Sequence, residues 1–257
     1  MAKVDVILNC FRRTRWLEEQ INAVKAQSIQ PSSIFAWRND SEQTVPEEIQ
    51  KQLIFANCNT NLGVWSRFAY ALNSTADYIC VLDDDTIPGP LWIENCINTM
   101  ETHPGLMGTV GVLFGDKHYS WQKLRRVGWC EPNEETTQVD IVGHSWVFPR
   151  ELLSVLFREL RHTDIPPIVG EDIHFSHMIQ KYTDFGTYVP PHPKDNKELW
   201  GSTKGAEYGH SQEGISMTQF KNQQGQNYTG GQMMGVCLER AVNDGFGLLE
   251  ATQSERL

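Results

Sequence analysis

The stretch ADYICVLDDDTIPGPLWIE, residues 76–94, joins a short apolar run to three consecutive aspartates. Tyr78–Leu82 has the length and the apolar character of a buried strand. Asp83, Asp84 and Asp85 follow at once, so the carboxylates lie where this strand ends. The proline-rich turn after them precedes apolar residues at helical spacing, which predicts a helix over 91–102.

Upstream of this stretch, strand and helix patterns alternate. Apolar runs predict strands at 4–8, 33–37 and 53–55, and apolar stripes predict helices around 17–24 and 64–72. This alternation is typical of βαβ units, so we expect an α/β fold with a mainly parallel sheet flanked by helices. Ligands of such sheets bind beyond the carboxyl ends of the strands.

Further strands are expected near 109–114 and 139–148, and helices over 152–160 and 171–181. Residues from about 190 to 230 are rich in Gly, Gln, Pro and Lys, which predicts a mobile loop followed by a weak helix or tail. We therefore predict one domain over 1–200 and a C-terminal extension over 201–257, either a lid or a tail of the same domain.

Composition excludes several classes of protein. Among 257 residues, 22 Lys and Arg against 32 Asp and Glu give a net charge of −10, which argues against a nucleic-acid partner. No apolar run reaches the roughly 20 residues of a membrane span. Six scattered cysteines without a CxxC pair favour reduced thiols and a cytoplasmic protein.

The three aspartates favour a metal site. Adjacent carboxylates repel one another, and a divalent cation such as Mn²⁺ or Mg²⁺ removes that repulsion and is readily shared with substrate phosphates. In a loop leaving a strand, Asp83 and Asp85 can point to one side while Asp84 points elsewhere. A solvated acidic turn is the alternative interpretation.

The order of these motifs resembles GT-A fold glycosyltransferases. The resemblance rests on VDVILNCFRRTRWLEEQINAVKAQS at 4–28, on Asn61-Leu62-Gly63, and on the DDDT segment with its preceding strand. The likeness is to family 2-like enzymes and, in DDDT and the later GEDI, to exostosin-like enzymes. It extends over about 3–190.

This resemblance implies a metal-dependent transferase that moves a sugar from a nucleotide-sugar, preferably a UDP-sugar, to a saccharide or other hydroxyl acceptor. Asp85 and Asp83 would bind Mn²⁺ or Mg²⁺, and Asp83 would also contact the ribose or sugar. The implied donor-binding set is Asn9, Arg12, Asn39, Asp40, Arg67, Asp83 and Asp84.

A second acidic element, Glu171-Asp172, stands at a predicted helix start. Carboxylates favour helix N-termini, so a purely structural role is the simple interpretation. The resemblance instead places such a pair beside the acceptor, with Asp172 as catalytic base and Glu171 as the second candidate. Likeness to family 2 favours inversion of the sugar and likeness to exostosins favours retention, so the stereochemistry stays open.

Histidines and aromatic residues add weaker candidates. His192 follows the last predicted strand, where some GT-A enzymes have a late metal ligand, and His210 lies in a segment that could close over the donor together with Lys204. His144 and Trp146 fall on the acceptor side, and Trp146 is either a sugar-stacking residue or a core residue.

Three other functions stay open on the sequence. A sugar nucleotidyltransferase would use a similar acidic site, although the glycine-rich opening after the first strand is missing. A non-catalytic carbohydrate-binding protein would keep the fold without turnover. A phosphohydrolase would need a second metal cluster or a nucleophile motif, and neither is recognisable. The QxxRW motif of processive membrane synthases is also missing.

Overall fold

The computed structural model describes residues 2–11, 14–40, 43–120, 123–129, 131–160, 162, 164–209, 219–221 and 227–249. Arg12 and His210, both candidates from the sequence, lie outside these described residues.

The described chain alternates strands and helices as the sequence predicts. The strands are β1 Val4–Cys10, β2 Ser33–Asn39, β3 Ile54–Cys58, β4 Tyr78–Leu82, β5 Gly105–Leu113, β6 Arg125–Gly128, β7 Thr137–Gln138, β8 Ile141–Pro149, β9 Gly186–Val189, β10 Gln219–Lys221 and β11 Asn227–Thr229. The α-helices are α1 Leu17–Lys25, α2 Glu47–Gln50, α3 Ser66–Ala71, α4 Trp92–Met100, α5 Leu152–Leu156, α6 Glu171–Tyr182, α7 Gly205–Gly209 and α8 Gly230–Asn243.

One large sheet has the strand order β3-β2-β1-β4-β8-β5-β9-β7, with β6 paired to β5. Strands β1, β2, β3, β4, β5 and β9 run in one direction, and β6, β7 and β8 run against them. The mostly parallel sheet confirms the predicted α/β class.

Alternation along the strands builds a core on each face of the sheet. In β1, Val6 and Leu8 pack with residues of α1 and α4, whereas Ile7 packs on the opposite face with residues of α3, α5 and α6. Successive side chains of a strand point to opposite faces, so one apolar run fills both cores. Helices on both faces leave the strand ends as the accessible edge.

The C-terminal part is more ordered than the composition predicts. Helix α8 begins at a capping box in which Thr229 and Gln232 satisfy each other's backbone N–H groups. Leu238 and Ala241 of this helix are buried in a cluster with Ile173 of α6. Of the two expectations, a weak helix or a tail, the structure has a packed helix over 230–243, while a domain boundary near residue 200 stays a prediction.

Two further observations concern membranes and thiols. Within the described ranges, no helix is long and apolar enough to cross a membrane. The five cysteines in those ranges, Cys10, Cys58, Cys80, Cys96 and Cys237, are free thiols.

Candidate active site

The aspartates form a turn that is held from two sides. Strand β8 runs antiparallel to β4 with Leu82 opposite Ser145, so His144 lies beside Asp83. The carbonyl of His144 accepts hydrogen bonds from the Asp83 N–H at 3.1 Å and from the Thr86 hydroxyl at 2.8 Å. From α1, the buried Gln20 amide donates to the carbonyls of Asp83 and Thr86, both at 2.7 Å.

The side chain of His144 completes a group of three ligand atoms. Ligand atoms of Asp83, Asp85 and His144 all lie within 4.8 Å of one another. His144 has a left-handed backbone conformation with φ of 64°, which is rare for a non-glycine residue. It also lies at a β-bulge, because the pairing of β8 with β5 shifts between Gly108 and Val110. Bulges beside functional sites redirect side chains, and here His144 is directed toward Asp85, 3.6 Å away.

His192, the metal ligand expected from the sequence, has other partners. It is fully buried, with Nδ1 2.8 Å from the Pro190 carbonyl and Nε2 3.1 Å from both the Thr109 hydroxyl and the Gly201 N–H. Burial lowers the pKa of His192 to about 4, so the ring is neutral and links strand β5 to the segments at Pro190 and Gly201. With both nitrogens occupied, His192 does not fit the expected metal ligand, and His144 is the histidine that lies beside Asp83 and Asp85.

Arg67 joins the two acidic elements. Its guanidinium is 3% exposed and lies 3.3 Å from an Asp83 carboxylate oxygen and 2.8 Å from a Glu171 oxygen. The guanidinium carbon also lies 4.6 Å from the centre of the Trp146 ring. The family resemblance assigns Arg67 to the nucleoside, whereas in the structure its charge pairs with the carboxylate directly after β4 and with the one at the start of α6.

Glu171 and Asp172 begin α6 in different environments. Glu171 accepts a hydrogen bond from Arg67. Asp172 accepts one from the Ile173 N–H, and burial together with the Glu171 charge raises the pKa of Asp172 to about 7. Burial also raises the pKa of Asp83 to about 6, against the opposing effect of Arg67. The site therefore holds two carboxyl groups that are poised to gain or lose a proton near neutrality.

The remaining donor-site candidates divide into buried and exposed groups. Asn39 is buried, and its amide bonds Asn61, the Leu62 N–H and the Gly63 carbonyl, so it shapes the loop after β3. Asp40 is exposed at the end of β2 with φ of 50°.

Asn9 is half-buried near the end of β1, and Asp84 is buried within the aspartate turn. The strand order brings the ends of β1, β2 and β4 to one edge of the sheet. These positions are compatible with a donor site, and their contacts with a donor stay predictions.

Two candidates have contacts within the protein. Trp146 is 2% exposed and donates its indole N–H to the Val142 carbonyl, so it is a core residue and not a sugar-stacking one. Lys204 lies 3.4 Å from Glu207 and packs near the Tyr208 ring. Tyr208 in turn stacks on Trp16 with ring centres 4.0 Å apart, which docks α7 against the segment after β1.

Comparison with known families agrees with this arrangement. The sequence profile described as glycosyl transferase family 2 matches residues 5–160, which include β1 to β8 and the aspartate turn. The chain belongs to this family. One curated relative, the glucosyl-dolichyl phosphate glucuronosyltransferase of Haloferax volcanii, is 26% identical over 123 residues, which cover 44% of this chain and 39% of the relative.

Solved structures share the fold. S. aureus TarS in complex with UDP-GlcNAc aligns with a TM-score of 0.52 at 13% identity, over 76% of this chain and 60% of TarS. GalNAc-T7 with UDP, GalNAc and Mn²⁺ aligns with a TM-score of 0.58 at 12% identity, over 79% of this chain and 46% of that one. The chain thus spans less than two thirds of the length of the relatives it matches.

Proposed function

We propose that this chain is a metal-dependent glycosyltransferase that takes a sugar from a nucleotide-sugar, preferably a UDP-sugar, and transfers it to a hydroxyl group of a saccharide or other acceptor. The observation that carries the proposal is the convergence of Asp83, Asp85 and His144 at the carboxyl end of β4, with Arg67 connecting Asp83 to Glu171. Family membership supports the reaction class, and UDP in two similar folds supports the donor.

The residues at the turn fit a divalent cation. Asp85 is 5% exposed in its side chain and has a neighbouring carboxylate and imidazole. Two carboxylates suit Mg²⁺ or Mn²⁺, and the imidazole favours a transition metal, so we prefer Mn²⁺. When bound, such an ion would neutralise charge on the departing diphosphate.

Asp172 suits the role of catalytic base better than Glu171. The Glu171 carboxylate is already held in an ion pair by Arg67 at 2.8 Å. Asp172, with a pKa of about 7, is matched to removing a proton from an acceptor hydroxyl near neutral pH. Asp172 would take the acceptor proton while the acceptor oxygen bonds to the sugar and the nucleotide diphosphate leaves.

A donor panel tests this function directly. UDP-, GDP- and TDP-sugars are each combined with Mn²⁺, Mg²⁺ or EDTA, and both the thermal shift and the slow release of nucleotide by donor hydrolysis are measured. We expect a UDP-sugar to give a shift of the melting temperature and nucleotide release that depend on Mn²⁺. Both should disappear in Asp85→Ala, because that carboxylate is central to the ligand group.

The matched control is Asp195→Asn, which removes an exposed carboxylate far along the chain from the turn. Donor binding without hydrolysis, even after acceptors are screened, would favour the non-catalytic carbohydrate-binding alternative. Pyrophosphate release from a nucleoside triphosphate and a sugar phosphate would identify a nucleotidyltransferase. If no donor gives a metal-dependent shift, the proposed metal site is wrong.

A further inference from the structure

The indole ring of Trp129 lies against the imidazole of His144, the histidine of the proposed metal site. The two ring centres are 5.5 Å apart, and the ring planes stand at 90° to each other. Edge-to-face contact is a preferred arrangement of aromatic rings, so it favours one orientation of the imidazole. In that orientation, His144 Nδ1 lies 3.6 Å from an Asp85 carboxylate oxygen.

Strand β5 brings the two rings together. It pairs with β8 along one side and with β6 along the other. The bulge that redirects His144 lies between Gly108 and Val110, opposite Thr109. The carbonyl of Thr109 accepts the backbone N–H of Trp129 at 3.3 Å. His144 and Trp129 therefore approach each other across β5 at the point where the strand pairing is irregular.

The indole of Trp129 is held by its other neighbours. It is 6% exposed and packs in a cluster with Val110 and Trp200. Gly128, with φ of 106°, turns the chain from β6 into Trp129. At the start of α7, a side-chain carbon added to Gly205 would lie 2.5 Å from Cδ2 of the indole. The ring thus has little room to move away from His144.

The orientation of an imidazole decides whether it can bind a metal, because a ring nitrogen and not a ring carbon must face the ion. Groups that orient a metal ligand without touching the metal commonly change metal affinity about 10- to 100-fold when they are removed. Mg²⁺ binds through oxygen ligands and water, whereas imidazole suits transition metals. A residue that orients His144 should therefore matter more for Mn²⁺ than for Mg²⁺.

We propose that Trp129 is a positioning residue that holds the His144 imidazole toward the metal site and thereby sets a preference for Mn²⁺ over Mg²⁺. This role rests on the metal site of the proposed function, although Trp129 itself would touch neither metal nor donor. Because Gly205 packs directly against the indole, the start of α7 supports the metal ligand through Trp129.

Calorimetric titration of Mn²⁺ and Mg²⁺ tests this role in wild type, Trp129→Leu, Trp129→Phe and His144→Ala. Trp129→Leu should bind Mn²⁺ about tenfold more weakly and Mg²⁺ within about twofold of wild type. Trp129→Phe keeps an aromatic ring and should recover part of the Mn²⁺ affinity. The double variant of Trp129→Leu with His144→Ala should bind Mn²⁺ no more weakly than His144→Ala alone, because the two changes act through one ligand.

A second variant keeps the test open if Trp129→Leu does not fold. Gly205→Ala leaves the indole in place but pushes it, so Mn²⁺ affinity should again fall while Mg²⁺ affinity holds. Gly247→Ala is its matched control, since the added carbon there comes no closer than 3.7 Å to its neighbours. Trp92→Phe is the control for a buried indole, because Trp92 lies beside His192 at 5.2 Å between ring centres and should leave Mn²⁺ affinity unchanged.

The outcomes separate this role from the proposed function. If wild type binds Mn²⁺ and neither Trp129→Leu nor Gly205→Ala weakens that binding, the positioning role is wrong and the metal site stands. Equal losses of Mn²⁺ and Mg²⁺ affinity, or a loss that adds to that of His144→Ala, would also overturn it, since Trp129 would then support only the fold. Binding of neither metal by wild type would reject the proposed metal site itself and this role with it.

Discussion

The aspartate turn and the start of α6 are built in different ways. At the turn, Asp83 and Asp85 are neighbours in sequence, and backbone hydrogen bonds to His144 and Gln20 fix them. At the start of α6, Glu171 depends on Arg67, which is 104 residues away in sequence. The two aspartates proposed to bind metal are therefore close in sequence, although α1 and β8 supply Gln20 and His144, whereas the proposed acceptor side is held through Arg67 of α3.

The aspartate turn and the start of α6, the two ends of the site, also differ in what neutralises their carboxylates. Burial raises the pKa values of both Asp83 and Asp172, to about 6 and about 7. At Asp83, a cation is the natural partner, because Asp85 and His144 supply further ligands. At Asp172, a proton serves instead, which suits an acid–base role. Variants that remove one end at a time test whether the two act separately.

Asp172→Asn is expected to have the largest effect. Removing the proposed base should slow nucleotide release from the donor by about 10²- to 10⁴-fold. The Mn²⁺-dependent thermal shift should remain, because the aspartate turn is intact. Asp184→Asn, which changes an exposed carboxylate, is the matched control. Loss of donor binding in Asp172→Asn would mean that the two ends are not separable.

Arg67→Leu should disrupt both the aspartate turn and the start of α6. It leaves the half-buried carboxylate of Asp83 and the buried carboxylate of Glu171 without their shared cation, and breaking a buried ion pair in this way costs about 3–5 kcal/mol. Chemical denaturation measures the loss in the free energy of unfolding. Arg67→Lys keeps the charge but cannot contact both carboxylates as the guanidinium does, so it should lose less stability than Arg67→Leu.

A positioning role for Arg67 has a separate signature. The Arg67 charge lowers the pKa of Asp172, so Arg67→Leu should move the pH midpoint of donor hydrolysis upward. Arg67→Lys should leave that midpoint near the wild-type value. If the midpoint is the same in all three proteins, Arg67 supports only the fold.

Wild-type hydrolysis should depend on pH through Asp172. The base acts when deprotonated, so the rate should rise about tenfold per pH unit below the pKa of about 7 and level off above it. Glu171, Arg67, Tyr119 and Cys237 are the ionisable neighbours of Asp172. Asp172→Asn should remove this dependence, and a rate that still rises with pH and levels off near pH 7 in the variant would assign the dependence to another group.

The free energy of unfolding of wild type should fall over the pH range in which the hydrolysis rate rises. The folded-state pKa of Asp172 is raised from 3.8, so its favourable contribution is complete below that value and is lost as the pH rises through about 7. Asp172→Asn does not ionise. As the pH rises from 3.8 to about 7, the melting temperature of Asp172→Asn should therefore increase relative to that of wild type.

The sequence predicts the parts of this molecule that depend on local pattern. Strand β4 runs over the predicted Tyr78–Leu82, α6 begins at the predicted Glu171, and the order of strands and helices gives the α/β class. Periodicity and the position of polar residues at strand ends are sufficient for these features.

Features that depend on strand pairing and side-chain burial could not be predicted from the sequence. His144 becomes a ligand candidate only because β8 pairs with β4 and bulges there. His192 is excluded as a candidate only because Thr109 of β5, Pro190 and Gly201 occupy its ring nitrogens. The ion pair of Arg67 with Glu171 has no local signal. Helix α8 was predicted only as a weak helix or tail, because its opening Gly230-Gly231 has weak helix propensity, although Thr229 and Gln232 form a recognisable capping box.

His144→Ala and His192→Leu test which of the two histidines binds the metal. His144→Ala removes one of three ligand atoms and should weaken Mn²⁺ binding at least about tenfold, or ~1.4 kcal/mol. His192→Leu should lower the melting temperature but leave Mn²⁺ affinity unchanged. Titration of Mn²⁺ by calorimetry measures both. The reverse ranking would restore His192 as the ligand.

Thr229→Ala is the smallest expected change, and it probes the support behind α6. Losing the N-cap should destabilise α8 by about 1 kcal/mol, with Thr60→Ala as an exposed control. Because Leu238 and Ala241 of α8 pack with Ile173, hydrogen exchange should quicken in α8 and at the start of α6. Amides around Asp83 should keep their protection, since Gln20 and His144 hold that turn independently. Faster exchange at the turn as well would show that the aspartate turn and the start of α6 form one cooperative unit, and the contrast between a turn held by α1 and β8 and a carboxylate pair supported by α3 and α8 would no longer hold.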